Sequence, residues 1–313
     1  MKFYFAPMEG LTDSIYRQLH HRFFPGIDRY YTPFLSPTMH RHLTQKEQRE
    51  LPPAQSLDFQ VVPQLLTKDA EDFLWMAGLI RDSGYDEVNL NLGCPSGTVV
   101  AKGKGSGLLA DTEKLDAFLD AIFSRTPLPV SIKTRVGVNE PEEFEKILSV
   151  YVRYPVAELI VHPRVRREFY GGEVHMDCFR QAAATAPFPV CYNGNLCSMQ
   201  QICEFRKKYP DVPAVMLGRG LIGNPGMLIP GGTSRETLAA FHDALLEAYL
   251  SAFGGSRNAM FRMKEIWRYQ LRLFQGGEKY EKALRKVTDL NEYRVITEGI
   301  FALPMNAQLQ PDW

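Results

Sequence analysis

Residues 87–107 read EVNLNLGCPSGTVVAKGKGSG. The first eight residues set apolar side chains around Asn89 and Asn91, the pattern of a strand. From Pro95 the chain turns to glycine, lysine and serine, and Thr112 then opens a helical pattern over residues 112–124. A strand that ends in a polar, glycine-rich loop and continues into a helix is one βα unit. The same order recurs along the chain.

Further strand patterns stand at FYFAPM (3–8), IDRYYTPF (27–34), FQVVPQL (59–65), PVSIKTRV (129–136), AELIVHPR (157–164), PVCYNG (189–194) and AVMLGRG (214–220). Helical patterns fall between them at 69–83, 141–154 and 198–209, with Asp69, Thr112 and Ser198 as N-caps and Pro141 in a first turn. Eight strands alternating with helices over about 220 residues match the count and length of a (β/α)8 TIM barrel. An open doubly wound sheet also alternates, but eight regular units favour closure. After the linker IPGGTS (229–234) no strand pattern survives. Met260, Met263, Trp267, Leu271 and Phe274 follow helical spacing and predict the core of a small C-terminal helical domain. The expected division is 1–230 for the barrel and 234–313 for the helices.

Composition narrows the class. The chain has 313 residues, 45% of them hydrophobic, with 36 basic and 36 acidic side chains and no formal net charge. Any polyanion-binding signal must therefore be local. Five cysteines, at 94, 178, 191, 197 and 203, form no disulfide framework and lack the close pairs of a structural zinc site. No metal is expected. The N-terminal apolar run is too short for a signal peptide and no stretch is long enough to span a bilayer, which predicts a soluble, cytoplasmic protein.

In a barrel of this kind the chemistry gathers at the C-terminal ends of the strands. Those ends carry Gln64, Asn91 and Cys94, Lys133 and Arg135, His162 and Arg164, Asn193 and Gly194, and Gly218 and Arg219. The glycines beside Arg219 alone suit an ordinary turn, but with Asn193 and Gly194 at the neighbouring strand end they favour a phosphate cradle after strands seven and eight. Lys133 interrupts an apolar strand. Either its ammonium reaches the rim, or it sits beside a ligand that gains negative charge, such as the N1–C2 edge of a reduced flavin. The Gln64 amide offers both a donor and an acceptor to a flavin pyrimidine edge. His162 is a structural histidine or a ligand contact. Cys94 is a small packed residue or stands where a substrate arrives.

Taken in order, APMEGLTD (6–13), NLNLGCPSGTVVAKGKGSGLL (89–109), IKTRVG (132–137), HPR (162–164), NGN (193–195) and GRGLIGNP (218–225) resemble the tRNA-dihydrouridine synthase family through the whole barrel. The C-terminal region resembles it only in being helical and of similar size. The resemblance implies an FMN enzyme that reduces the C5–C6 double bond of particular tRNA uridines, with NADPH or NADH as reductant. It implies Pro7 and Met8 against the isoalloxazine, and Gln64, Lys133 and His162 on the cofactor. Asn193, Gly194, Asn195, Gly218 and Arg219 would hold ribityl and phosphate groups. Asn91 would face the uracil and Cys94 would be the catalytic acid. Pro163 departs from the more usual His-Gly-Arg of the sixth strand.

A folded RNA must extrude its base to reach such a site. Lys102, Lys104, Arg135, Arg164, Arg166 and Arg167 lie in loops or strand ends that predict a basic mouth for the substrate, and the glycine-rich loop around Lys102 is expected to move over it. Residues 257–286 hold nine basic side chains against three acidic ones. Such a cluster is a solvated helix face or a track for phosphates. Tyr269 and Tyr280 pack, or stack on bases. A monomer without an obligate protein partner is expected. The alternatives are an FMN-dependent dehydrogenase of the dihydroorotate type, and an RNA-binding module whose flavin is vestigial.

Overall fold

The computed structural model describes residues 1–38 and 40–306. The last seven residues of the expected helical domain lie outside the described residues. Nine short strands form one sheet: β1 Lys2–Phe5, β2 Arg29–Tyr31, β3 Val61–Val62, β4 Gln64–Leu65, β5 Val88–Leu92, β6 Val130–Arg135, β7 Leu159–His162, β8 Val190–Tyr192 and β9 Ala214–Leu217. Their order is β3-β2-β1-β9-β8-β7-β6-β5-β4, and the registered pairs are parallel.

The two ends of that order are neighbours in the chain. Only Pro63 separates β3, which pairs with β2, from β4, which pairs with β5. Proline has no N–H to give a ladder, so it splits one strand in two. Its carbonyl still accepts from Asn89 N at 2.8 Å. The sheet therefore returns on itself as a nearly closed barrel, and the single strand read at 59–65 is the pair β3 and β4.

Parallel strands covered on both faces become apolar runs, and β5, β7 and β9 are buried throughout. Side chains alternate, so one set from each strand fills the interior. Tyr4, Ala6, Tyr31, Val62, Ile160, Cys191, Ala214 and Met216 form that packed core. Helices connect the strands: α1 Ser14–Phe23, α2 Gln45–Glu50, α3 Ala70–Asp82, α4 Gly97–Val100, α5 Thr112–Phe123, α6 Glu143–Tyr151, α7 Met176–Thr185, α8 Met199–Lys208 and α9 Arg219–Gly223. Asp69 caps α3 by accepting from Asp72 N, and Ser198 Oγ accepts from Gln201 N before α8. The cap of α5 is Asp111 rather than Thr112, because its carboxylate accepts from Lys114 N while Thr112 is already helical.

The chain divides into two compact units. One holds Met1–Pro7, Asp28–Asn195 and Tyr209–Met216. The other gathers Met8–Ile27, Leu196–Lys208 and the chain from Leu217 onward. This second unit contains α10 Arg235–Phe253, α11 Ser256–Gln270, α12 Glu281–Lys286 and α13 Leu290–Phe301. Ser234 caps α10, and Gly254 ends it at φ 63°, where a side chain would be strained. The stripe of Met260, Met263, Trp267, Leu271 and Phe274 is core, as its spacing predicts. Trp267 Nε1 donates to Tyr293 Oη at 2.9 Å, and His242 Nε2 lies 2.8 Å from the same oxygen. Helix α1 joins this unit through Tyr16 and Phe24, whose rings pack edge-on against Phe241 of α10. Among the described residues no helix is long and apolar enough to cross a membrane.

Candidate active site

The mouth of the barrel is organised by a line of side-chain amides. Ser131 Oγ accepts from Asn89 Nδ2 at 2.9 Å, and Asn89 Oδ1 accepts from Gln64 Nε2 at 2.8 Å. Gln64 Oε1 then accepts from Asn91 Nδ2 at 2.7 Å. Asn91 Oδ1 accepts the backbone N–H groups of Gly93 and Cys94 at 3.0 and 2.9 Å. Strand register explains the line: Gln64 stands beside Asn89, and Asn89 and Asn91 stand beside Ser131 and Lys133. Four buried polar side chains thereby fix one another's orientation, since every unmet bond in such a place is costly. The line ends on the backbone that carries Cys94.

Cys94 is half-buried and forms no disulfide. Its carbonyl accepts from Ser106 N at 3.1 Å and from Ser106 Oγ at 2.7 Å. Gly105 makes that return possible: it sits at φ +58°, and a Cβ there would lie 2.9 Å from the Cys94 carbonyl. The glycine-rich loop after Cys94 is folded into α4 and a short 3-10 turn (Gly105–Ala110), which Ser106 ties to the Cys94 carbonyl. Lys104 Nζ donates to Ser36 Oγ at 3.2 Å, and burial pulls its pKa down, with Lys102 and Lys68 adding to the shift. Lys102 is exposed.

Lys133 is the unusual charge. Its ammonium makes no hydrogen bond or ion pair with any described residue, although it is mostly shielded from water. Burial first, and then Arg135, push its pKa down to about 8, while Cys94 and Cys191 pull the other way. A desolvated cation without an anion is unfavourable by itself and becomes favourable when a ligand brings negative charge.

Arg135 and Arg164 differ from the outward-reaching cations expected of them. Both are fully buried. Arg135 donates to the carbonyls of Gly93, Val165 and Phe169 at 2.9, 3.0 and 2.6 Å. Arg164 donates to Gly171 O, Gly172 O and Asn195 Oδ1, and its Nη1 lies 3.0 Å from His162 Nε2. These two side chains clamp the loop after β7. Phe169 there has φ +50°, strained for a residue with a side chain, and is held by Arg135. Tyr170 stacks on His162 at 6.1 Å between centroids, with the Arg135 guanidinium 5.5 Å from its ring centre. Arg167 pairs with Glu140 at the surface.

At the end of β8, Asn193 Nδ2 donates to Met216 O at 2.8 Å. Gly194 is needed for a closer reason than a ligand, because a Cβ there would sit 2.0 Å from Tyr192 Oη. Gly218 and Arg219 follow β9 directly and open α9, whose first turn has no side-chain cap. Pro7 follows β1. Met8 belongs to a turn closed by Thr12, whose Oγ1 accepts from Met8 N at 2.8 Å. In the same unit, Arg262 Nη1 donates to Gly10 O at 2.5 Å and Tyr249 Oη donates to Asp13 Oδ1 at 3.0 Å. Arg262 is thus taken out of the expected phosphate track, as is Lys264, which donates to Val287 O.

Sequence reasoning missed Asn89, Ser131, Ser106 and Tyr170. Asn89 was within reach, since it shares the face of Asn91 two residues on. Ser106 and Tyr170 owe their places to loop geometry.

The family model for dihydrouridine synthase (Dus) matches residues 4–297. The chain belongs to this family. Among curated relatives, tRNA-dihydrouridine synthase B of Pasteurella multocida is 23% identical over 96% of this chain and 93% of that protein. A tRNA-dihydrouridine(20/20a) synthase of Shewanella oneidensis is 28% identical over 64% of this chain and 63% of that protein. Among solved structures, morphinone reductase in complex with tetrahydroNAD superposes with a TM-score of 0.51 at 12% identity, over 72% of this chain and 85% of that one. An old yellow enzyme homologue from Zymomonas mobilis gives 0.52 at 11%, over 75% and 91%. Likeness at that level speaks for the barrel fold. Membership of the dihydrouridine synthase family rests on the match across the chain.

Proposed function

We propose that this member of the dihydrouridine synthase family reduces the C5–C6 double bond of particular uridines in tRNA, with FMN as cofactor and NADPH or NADH as reductant. The observation that carries the reading is Lys133, a shielded ammonium without an anion, in the same barrel mouth as a thiol whose backbone is fixed by Asn91 and Ser106. The residues fit a flavin. Lys133 suits an edge that gains negative charge, and the buried Gln64 amide, its orientation set by Asn89 and Asn91, suits the pyrimidine edge. Pro7, Met8 and His162 would complete the ring's surroundings, with Asn193, Gly194, Asn195, Gly218 and Arg219 toward the ribityl chain and phosphate.

When bound, FMN supplies the hydride that uracil takes at C6. Cys94 holds the proton that C5 then needs. A thiol can deliver such a proton as a general acid. Asn91 accepts from the backbone N–H of Cys94 and Ser106 donates to its carbonyl, so the backbone that carries the thiol is held on both sides. Arg135 and Arg164 hold the loop that presents Tyr170, with Lys102 and Lys104 toward the RNA. Residues 1–230 would act as the catalytic barrel and 234–313 as the tRNA-binding region of a cytoplasmic monomer. The dihydroorotate-type alternative loses its support once the chain stands in this family.

A single turnover tests the reading. The flavoprotein is reduced anaerobically with NADPH and mixed with tRNA lacking dihydrouridine. Rapid reoxidation of the flavin by that tRNA, and a rate about 10²- to 10⁴-fold lower in Cys94→Ala, is expected for loss of a general acid. Reoxidation by orotate and not by tRNA would refute it.

A further inference from the structure

Helix α11 has two faces of opposite character. Met260, Met263, Ile266 and Trp267 are buried on one side. On the other, Arg257, Phe261, Lys264 and Arg268 follow one another at intervals of four, three and four residues, which places them on a single stripe. Phe261 is 63% exposed, the most exposed aromatic side chain among the described residues. Arg257 is exposed and has no partner among the described residues, and Arg268 is exposed with its charge shared with Glu265 at 3.1 Å. Lys264 is turned to the Val287 carbonyl. Most of the Phe261 ring is left in water between two arginines, where it adds little packing to the helix that carries it.

We infer that this stripe docks RNA, with Phe261 as a stacking platform for an unpaired base and Arg257 and Arg268 on the flanking phosphates. The inference rests on the tRNA reading above and adds a contact to it. Charge complementarity selects the occupant. A second copy of the chain meeting this face about a two-fold axis would bring arginine against arginine. A single-stranded or looped RNA offers a π-face to the ring and negative charge on either side of it, the combination that sequence-tolerant RNA-binding surfaces use.

The test measures binding of the holoenzyme to two probes, tRNA lacking dihydrouridine and a blunt RNA duplex without unpaired bases. Phe261→Ala should weaken tRNA binding about 5- to 100-fold, the range for loss of one aromatic platform, and leave duplex binding unchanged. Phe261→Trp should bind as wild type does, and Phe261→Leu should fall with the alanine variant. The double variant Arg257→Ala/Arg268→Ala should weaken both probes and lower the slope of log affinity against log salt by about 2. Equal tRNA affinity in Phe261→Ala, or full affinity in Phe261→Leu, would overturn the platform. A concentration-dependent dimer that Phe261→Ala abolishes would overturn it in favour of self-association. Failure of the wild-type protein to bind tRNA at all would instead remove the reading on which the inference stands.

Discussion

The two ends of the barrel interior both bury charge, and they treat it in opposite ways. At the N-terminal end, Arg29 Nη1 lies 3.0 Å from Glu87 Oε2 and 3.7 Å from Glu158 Oε2, and Tyr4 Oη donates to Glu158 Oε1 at 3.1 Å. The floor's cation is matched by the protein itself. At the C-terminal end Lys133 faces no carboxylate among the described residues, and the groups that act on it are the thiols of Cys94 and Cys191 and another cation, Arg135, with Asn91 beside it on the neighbouring strand. A matched buried cluster holds strands in place, whereas an unmatched cation specifies what must be bound there. The same barrel frame is therefore structural at one end and receptive at the other.

The contrast can be broken by removing each cation in turn. Arg29→Met leaves Glu87 and Glu158 buried without their partner and should destabilise the fold by roughly 3–5 kcal/mol in denaturant unfolding. An effect under about 1 kcal/mol would mean that the floor is not held by this pairing. The pH dependence of stability sharpens the same point. Burial, with Glu87 adding to it and Arg29 opposing it, raises the Glu158 carboxyl to about 7 from an ordinary 4.5. The folded state therefore holds a proton that the unfolded chain has released. Its stabilising effect is complete below pH 4.5 and is lost as pH rises toward 7, by up to about 3 kcal/mol. Glu158→Gln should flatten that decline between pH 4.5 and 7.

Lys133 gives the smallest and opposite signature. Its ammonium, depressed to about 8, must be protonated to meet an anionic ligand. FMN affinity should accordingly fall above pH 8, by no more than tenfold per pH unit. Lys133→Met should show no such fall.

Much of this fold was legible in the sequence. The eight strands could be placed from their apolar runs, and so could the loops that end them. The split at Pro63 was not read from residues 59–65, although proline chemistry accounts for it. That the two halves pair with different neighbours is a property of the ring and not of residues 59–65. The grouping of α1 with the C-terminal helices was also hidden, because it depends on Phe241 meeting Tyr16 and Phe24 more than 200 residues away in the chain. At the site, the residue types were readable and their partners were not. Arg135 and Arg164 look like free cations in one dimension. Only the folded loop shows that their donors go to its carbonyls. Asn89 was missed although strand alternation puts it beside Asn91, since a single asparagine in an apolar strand carries no chemistry until its neighbours are known.

The most direct measurement compares thermal unfolding of wild type and Lys133→Met, each with its flavin removed and then with FMN restored. Without FMN the variant should melt at or above the wild-type temperature, because it no longer buries an unmatched charge. With FMN the wild-type protein should gain several degrees and the variant distinctly less. A flavin-free Lys133→Met protein that is destabilised as severely as Arg29→Met would show that Lys133 belongs to the fold, and would contradict the receptive mouth on which this account depends.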